Sequence, residues 1–486
     1  MSQRECWPID ESLPKEPMTL PLVPFERFMV IDDQPEHPMT FYTETRFVGD
    51  IDPEALQTAA VATARRSPLL SSRIEEIDGV PQWVNWDEFH VCVDEVSPEA
   101  IDTPPRGVNI DLTQEIGWRI WFSRVNGHST LRMQFHHAAC DGKGAAQVFI
   151  DLMTGYSQLM ASEDGQVEWR KLRPEGLPDR GVFPPVKSTR TVSRWQAIKG
   201  GWDFHMRKPK PLASPHRTPI SAGDREPLQW ELCDFTAAQT EHFRTCARDM
   251  GVTLNDIATA LLFRTLADWN RIHAGSRPKH RLRILIPTDL RSRVDGRLPA
   301  ANRMGFAFLT RTNSQCGDWN TLVDGVRAET EFIKDTQAGR IFLNDMTFLT
   351  AHPKLLSGLL RRSGCLATAV LTNLDDPLRR FRRRFPADSD GRIAVGNLSI
   401  TAVYGLPPIR MRTRAGFGIC HCNGAMTLSV QTDSAWFTRV ETQSLLNSYA
   451  HAWREWVGTF PASTADKSKT IAMPETSALN ARRIAS

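Results

Sequence analysis

Residues 131–153 read LRMQFHHAACDGKGAAQVFIDLM. Leu131, Met133 and Phe135 alternate with Arg132 and Gln134, the period of a strand with one buried face, and the run leads directly into His136 and His137. Beyond Gly142 and Gly144, Ala146, Phe149, Ile150 and Met153 recur at helical spacing. The stretch is a strand-to-helix junction with two histidines and Asp141 in its turn. A junction of this kind belongs to a chain that mixes strands and helices.

Three chemistries compete for the junction. A helical zinc site spaces its histidines four apart with a glutamate between them, whereas adjacent side chains on a strand point to opposite faces, so His136 and His137 are poorly placed to share an ion. Acid/base work fits better, because one imidazole near its ordinary pKa can take a proton from a hydroxyl or amine at neutral pH. His137 is the candidate base, with His136 supporting the wall behind it. The plain alternative is a capped polar loop, in which Asp141 satisfies free N–H groups at the helix start.

The surrounding chain bounds these choices. Its 486 residues exceed what one core usually supports, and 41% apolar with 24% charged residues is an ordinary globular balance, so two domains are expected. With 59 Lys plus Arg against 56 Asp plus Glu, the net charge of +3 excludes nucleic acid as a bulk partner. Nine scattered cysteines and an acidic, proline-containing start (MSQRECWPIDESLPKEP) fit reduced thiols in a cytoplasmic compartment without a signal peptide. No stretch approaches the roughly 18 consecutive apolar residues of a membrane span, although peripheral contact with a membrane stays open.

Outward from the junction, TFYTETRFVGDID (40–52) reads as a strand and PEALQTAAVATARRS (53–67) as a helix with Pro53 in its first turn. Residues 161–227 are rich in proline and charge, as a linker or crossover would be. Structure resumes near LQWELCDF (228–235), with two helices over 236–271, strands at RLRILIPTDLRSR, MGFAFLTRT, SITAVYGLPP, GFGICHC and AMTLSVQTD, and a closing helix at ETQSLLNSYAHAWREWV. The expected fold is α/β, two α+β sandwich units: an N-terminal subdomain with linker over 1–215, a C-terminal subdomain over 216–460, and a flexible tail over 461–486.

The motif His136-His137-Ala138-Ala139-Cys140-Asp141-Gly142 resembles the HHxxxDG signature of the chloramphenicol-acetyltransferase-like superfamily, which includes condensation domains, wax ester synthase/diacylglycerol acyltransferases, polyketide-associated acyltransferases and alcohol acetyltransferases. FVGDIDPEAL with ARRSPLL (47–70), VTLNDIATALL (252–262), IPTDLRSR to NRMGFAFLTR (286–311) and VLTNLDDP (370–377) are similar to other segments of that superfamily, with Ser67 where histidine is common. The DFGWG motif of its plant branch is absent.

The resemblance implies two subdomains of like fold with a tunnel between them. It implies transfer of an acyl group from a pantetheine thioester, coenzyme A or a carrier protein, to an alcohol or amine, with no bound cofactor or metal. His137 would be the general base, Asp141 and Gly142 structural, Arg291 the partner of Asp141, and Thr372 a candidate oxyanion donor. A stand-alone monomer is expected, with an acyl carrier protein as an optional partner. Two other readings are kept: a non-catalytic condensation-like module that binds acyl or pantetheine ligands, and a membrane-surface wax ester or glyceride synthase.

Arg361, Arg362, Arg379, Arg380, Arg382, Arg383 and Arg384 face only Asp375 and Asp376 locally. Arg379, Arg380 and Arg382 to Arg384 are the candidates for contact with coenzyme A phosphates, an acidic carrier or an anionic bilayer, against the bland reading of a solvated face. Phe381 and Phe385 among them suggest a greasy element in that surface. Cys420-His421-Cys422 lacks a second ligand pair and reads as packing, and Asn255-Asp256 as a helix start.

Overall fold

The computed structural model describes residues 19–460 except 87, 161–167, 184–206, 227, 276, 353, 355, 359–363 and 380. The N-terminal residues before 19, Arg361, Arg362, Arg380, much of the proline-rich linker and the expected tail over 461–486 lie outside the described residues.

The 131–153 junction sits in the first of two six-stranded sheets. Strand β2 (Thr40–Val48) pairs antiparallel with β7 (His128–His136), Thr40 opposite His136 and Phe41 opposite Phe135. Next come β6 (Trp118–Val125) and β5 (Val93–Glu95). The β6–β7 hairpin turns at Asn126 and Gly127, whose φ values of 50° and 74° suit the primed turn that matches strand twist. Helix α2 (Pro53–Arg66) starts where Asp52 accepts the Ala55 N–H at 2.8 Å, and it packs on α3 (Gly142–Met160). Leu56, Ala59, Ala60, Val148, Leu152, Phe135 and Trp118 form the heart of this first core.

The second sheet has the order β10 (Met304–Thr312), β9 (Arg281–Asp289), β11 (Ala369–Asp375), β14 (Ala415–Cys422), β15 (Ala425–Thr432), β8 (Trp230–Phe235). Its core joins α4 (Ala237–Asp249), α5 (Leu254–Ala274), α6 (Trp319–Thr336) and α8 (Arg439–Gly458) to those strands. Helix α5 begins at a capping box between Thr253 and Asp256 and stops at Gly275, φ +56°. Helices α1 (Pro24–Asp32) and α7 (Gly339–Thr350) pack together at the junction of the halves. A small sheet of β1 (Thr19–Pro21), β4 (Val80–Asn85) and β3 (Ser72–Ile77) closes one side.

One strand crosses the expected boundary. The SITAVYGLPP strand, assigned from sequence to the 216–460 subdomain, is β13 (Leu398–Leu406), and with β12 (Ala394–Val395) it completes the first sheet by pairing with β2. Strand β2 would otherwise be an edge with unpaired backbone groups, and the distant strand satisfies them. Ser429 also donates to the Gly405 carbonyl at 2.8 Å, which ties the crossing strand to the second sheet. Within the expected linker, residues 168–183 stay with the first half, where Arg180 reaches Glu26 at 2.7 Å with neither side chain exposed.

Glu26 also accepts from the Trp83 indole at 2.9 Å, so one carboxylate holds α1, β4 and the 172–183 segment. Replacing Glu26 by Ala should therefore cost about 3–5 kcal/mol, the usual result of leaving a buried charge alone. A urea unfolding midpoint unchanged from wild type would contradict this.

Candidate active site

Strand β7 delivers His136 and His137 to opposite sides of the chain. The His137 N–H donates to the Met39 carbonyl at 2.7 Å, and the His136 N–H to that of Gly117 at 2.9 Å. His136 Nδ1 accepts the Ala138 N–H at 3.1 Å, and its Nε2 lies 3.7 Å from Asp33. Both nitrogen sides of the His136 ring thus face the protein.

His137 is differently placed. Its ring centroid is 5.0 Å from that of Phe41 and 6.3 Å from that of Phe25. Its Nδ1 is buried without a hydrogen-bond partner among the described residues. The ring lines the cavity, where a neutral imidazole offers its unprotonated nitrogen to a bound group. Burial pushes the imidazole pKa below its ordinary value, so the ring is neutral at pH 7.

The turn behind it is held by Asp141. Arg291 donates both Nη atoms to the carboxylate at 2.8 Å, the Arg303 N–H adds a bond at 2.9 Å, and the Gly144 N–H one at 2.8 Å. Burial alone would raise the Asp141 pKa, but the Arg291 charge and these donors outweigh it and hold the carboxyl below the usual range. Burial opposes the Arg291 charge too, and Asp141 reverses that, so the guanidinium stays protonated. Asn302 completes the turn by donating Nδ2 to the carbonyls of His137 and Ala138, both at 2.8 Å. Neither Asn302 nor the Arg303 N–H was singled out from sequence. Two polar residues directly before the apolar β10 were the available signal.

The cavity lies between the two sheets, with about 1020 Å³ of empty space counting its open mouth. Met29, Met39, Phe41, Met304 and Phe306 form much of its wall, and Thr372 of β11 lines it together with His137. The Thr372 hydroxyl makes no hydrogen bond to the described residues. The charged groups at the wall are paired: Lys143 with Asp289 at 2.7 Å, Arg291 with Asp141, and Arg410 with Asp32 at 2.8 Å.

The arginine cluster is elsewhere. Arg379, Arg382 and Arg383 are exposed in the connection between β11 and β12, and none of Arg379, Arg382, Arg383 or Arg384 lines the cavity. Arg382 pairs with Asp376 at 3.0 Å, and Arg384 donates to the Glu168 carbonyl. Phe385, expected on that surface, is 5% exposed and belongs to the first core, where apolar packing takes precedence over its charged neighbours. Cys420 and Cys422 are buried in β14, and among the described residues no group of His, Cys, Asp and Glu is arranged for a metal ion. Asn255, at the start of α5, accepts from Asn373 beside the cavity at 3.3 Å.

Two sheets, a strand crossing between them and a histidine turn at their junction define the pseudo-dimeric fold of the chloramphenicol-acetyltransferase-like condensation superfamily, and this chain has that fold. Residues 225–373 match the family model described as phthiocerol/phthiodiolone dimycocerosyl transferase C-terminus. Among solved structures, the trichothecene 15-O-acetyltransferase TRI3 of Fusarium sporotrichioides is similar over 90% of this chain and 94% of its own, at 12% identity and a TM-score of 0.64. Polyketide synthase associated protein 5 of Mycobacterium tuberculosis is similar over 92% and 100%, at 15% identity and a TM-score of 0.62. A starter condensation domain of rhizomide synthetase RzmA, in complex with C8-CoA, is similar over 91% and 95%, at 13% identity and a TM-score of 0.60. Uncharacterized proteins from two Mycobacterium tuberculosis strains are 24% identical over 269 residues, and the chain spans 58% of the length of these curated relatives. No described helix is long and apolar enough to cross a membrane.

The depressed Asp141 pKa has a pH signature. Its stabilisation is complete above the unfolded carboxyl value of about 3.9 and is lost as pH falls through the lower folded value. Asp141→Asn should lower the urea midpoint at pH 7 and flatten its decline below about pH 4. Parallel declines for variant and wild type would exclude this role.

Proposed function

We propose that the protein is an acyltransferase of HHxxxDG type that moves an acyl group from a pantetheine thioester to a neutral alcohol, with His137 as general base. The observation that carries this is the His137 ring, packed beside Phe41 and lining an apolar cavity between the two sheets. The C8-CoA complex of the similar condensation domain supports an acyl-coenzyme A donor.

In this reaction His137 Nε2 takes the hydroxyl proton as the acceptor oxygen bonds to the thioester carbonyl carbon. The carbonyl oxygen becomes an oxyanion, and the Thr372 hydroxyl is the candidate donor to it. As the tetrahedral species collapses, the C–S bond breaks and the imidazolium returns its proton to the leaving thiolate. Asp141, Arg291 and Asn302 do not touch the reactants; they hold the turn that aims the ring.

The wall chemistry favours an alcohol over an amine. Charged groups at the wall already have counter-ions, and an aliphatic amine, charged below about pH 10, would have to shed its proton to enter. Ester formation is therefore preferred to amide formation. The exposed Arg379 and Arg383 support a transient contact with an acidic carrier protein, the phosphates of coenzyme A or an anionic bilayer at a distance from the chemistry. The described cysteines are free thiols, in keeping with work in the cytoplasm.

His137→Ala should reduce alcohol-dependent thiol release from acyl-coenzyme A by roughly 10² to 10⁴. The acid limb of the wild-type rate profile should fall below about pH 6.5, because protonated His137 cannot accept and its pKa is depressed. Activity within about tenfold of wild type in the variant would assign the base elsewhere. A panel of alcohols and amines offered with mixed acyl-coenzyme A donors identifies the acceptor.

A further inference from the structure

Two glycines at the cavity face the same leucine. A Cβ on Gly142, the last residue of the histidine motif, would lie 2.9 Å from Leu374 Cδ2, with nothing else within 4 Å. A Cβ on Gly405, in the crossing strand β13, would lie 2.8 Å from Leu374 Cδ1, and its only other neighbour is the Tyr42 carbonyl at 3.8 Å. Leu374 therefore wedges its two methyls between the motif helix and the strand that joins the halves.

The backbone puts it there. In β11, Asn373 pairs with Ile419 and Asp375 with Cys420, so Leu374 is an extra residue in a bulge, and Asp375 follows with φ +55°. Leu374 is part-buried, lines the cavity with His137 and Thr372, and stands between the exposed Asn373 and Asp375. The nearby wall residues are polar and already bonded, Lys143 to Asp289 and Asn373 to Asn255. Leu374 adds an apolar side chain to that lining, as Leu406 and Pro407 do.

We propose that Leu374 is a specificity-determining residue that sets the width of the entry to the His137 cavity on the β11 side. This rests on the reading of that cavity as the reaction chamber. Its methyls are confined by backbone on two sides, so the opening admits an unbranched apolar chain and holds back branched chains and bulk water. A wider opening would let water compete with the alcohol for the thioester, with hydrolysis rising against transfer.

The test uses the full chain and a neutral apolar fluorophore, N-phenyl-1-naphthylamine, followed by stopped flow. Leu374→Ala should speed probe entry several-fold and raise the ratio of thioester hydrolysis to alcohol transfer. Gly405→Ala should push the leucine into the opening and slow entry, and Gly405→Ala combined with Leu374→Ala should restore it. Leu374→Phe provides a second closing variant should Gly405→Ala fail to fold. Wild-type entry rates in Leu374→Ala, or a double variant as slow as Gly405→Ala, would overturn the assignment. Probe entry needs no acyl transfer, so a protein whose entry follows Leu374 but which releases no thiol keeps the gate and loses the reaction.

Discussion

The pairing of Asp141 with Arg291 is the constraint on which the molecule depends. A carboxylate 2% exposed is costly unless its charge and lone pairs are met, and here a bidentate guanidinium and two backbone N–H groups meet them. The donors come from both halves: Gly144 from the start of α3, Arg291 and Arg303 from the connection between β9 and β10. The histidine turn thus keeps its shape only while the second half is docked. The cavity that His137 lines exists for the same reason, since its opposite wall is β9, β10 and β11.

The crossing strand reinforces that docking. Because β13 completes the first sheet while β14 lies in the second, a rotation of one half against the other would have to disturb the ladder between β2 and β13 or rearrange the short 407–414 connection. Gly405 lies within this strand, where its partner Thr43 belongs to the first half and Ser429, bonded to its carbonyl, to the second. A rigid interface of this kind suits chemistry that needs a base aimed within a fraction of an ångström.

Local pattern carried far in this chain. Alternation from Leu131 to Phe135 and helical spacing from Ala146 to Met153 correspond to β7 and α3, and Pro53 stands in the first turn of α2. His136 and His137 could be told apart by strand geometry alone, and the structure gives one bonded ring and one facing the cavity. The pairing of Arg291 with Asp141 came from resemblance, and no spacing rule would have found it across 150 residues. Asn302, Leu374 and the Arg410–Asp32 pair were not legible, because each acts through a partner remote in sequence.

The sequence by itself determined the elements, the capped helix starts, the strand-to-helix turn and the residue types within reach of a base, because these follow from periodicity and from backbone groups a few residues apart. Only the tertiary structure decided that the 398–406 strand belongs to the first sheet, that Phe385 is core while Arg379 is surface, and that one leucine stands against both Gly142 and Gly405. Those outcomes turn on which distant edges and cavities compete for the same side chain, and burial settles that competition only when the whole chain is packed.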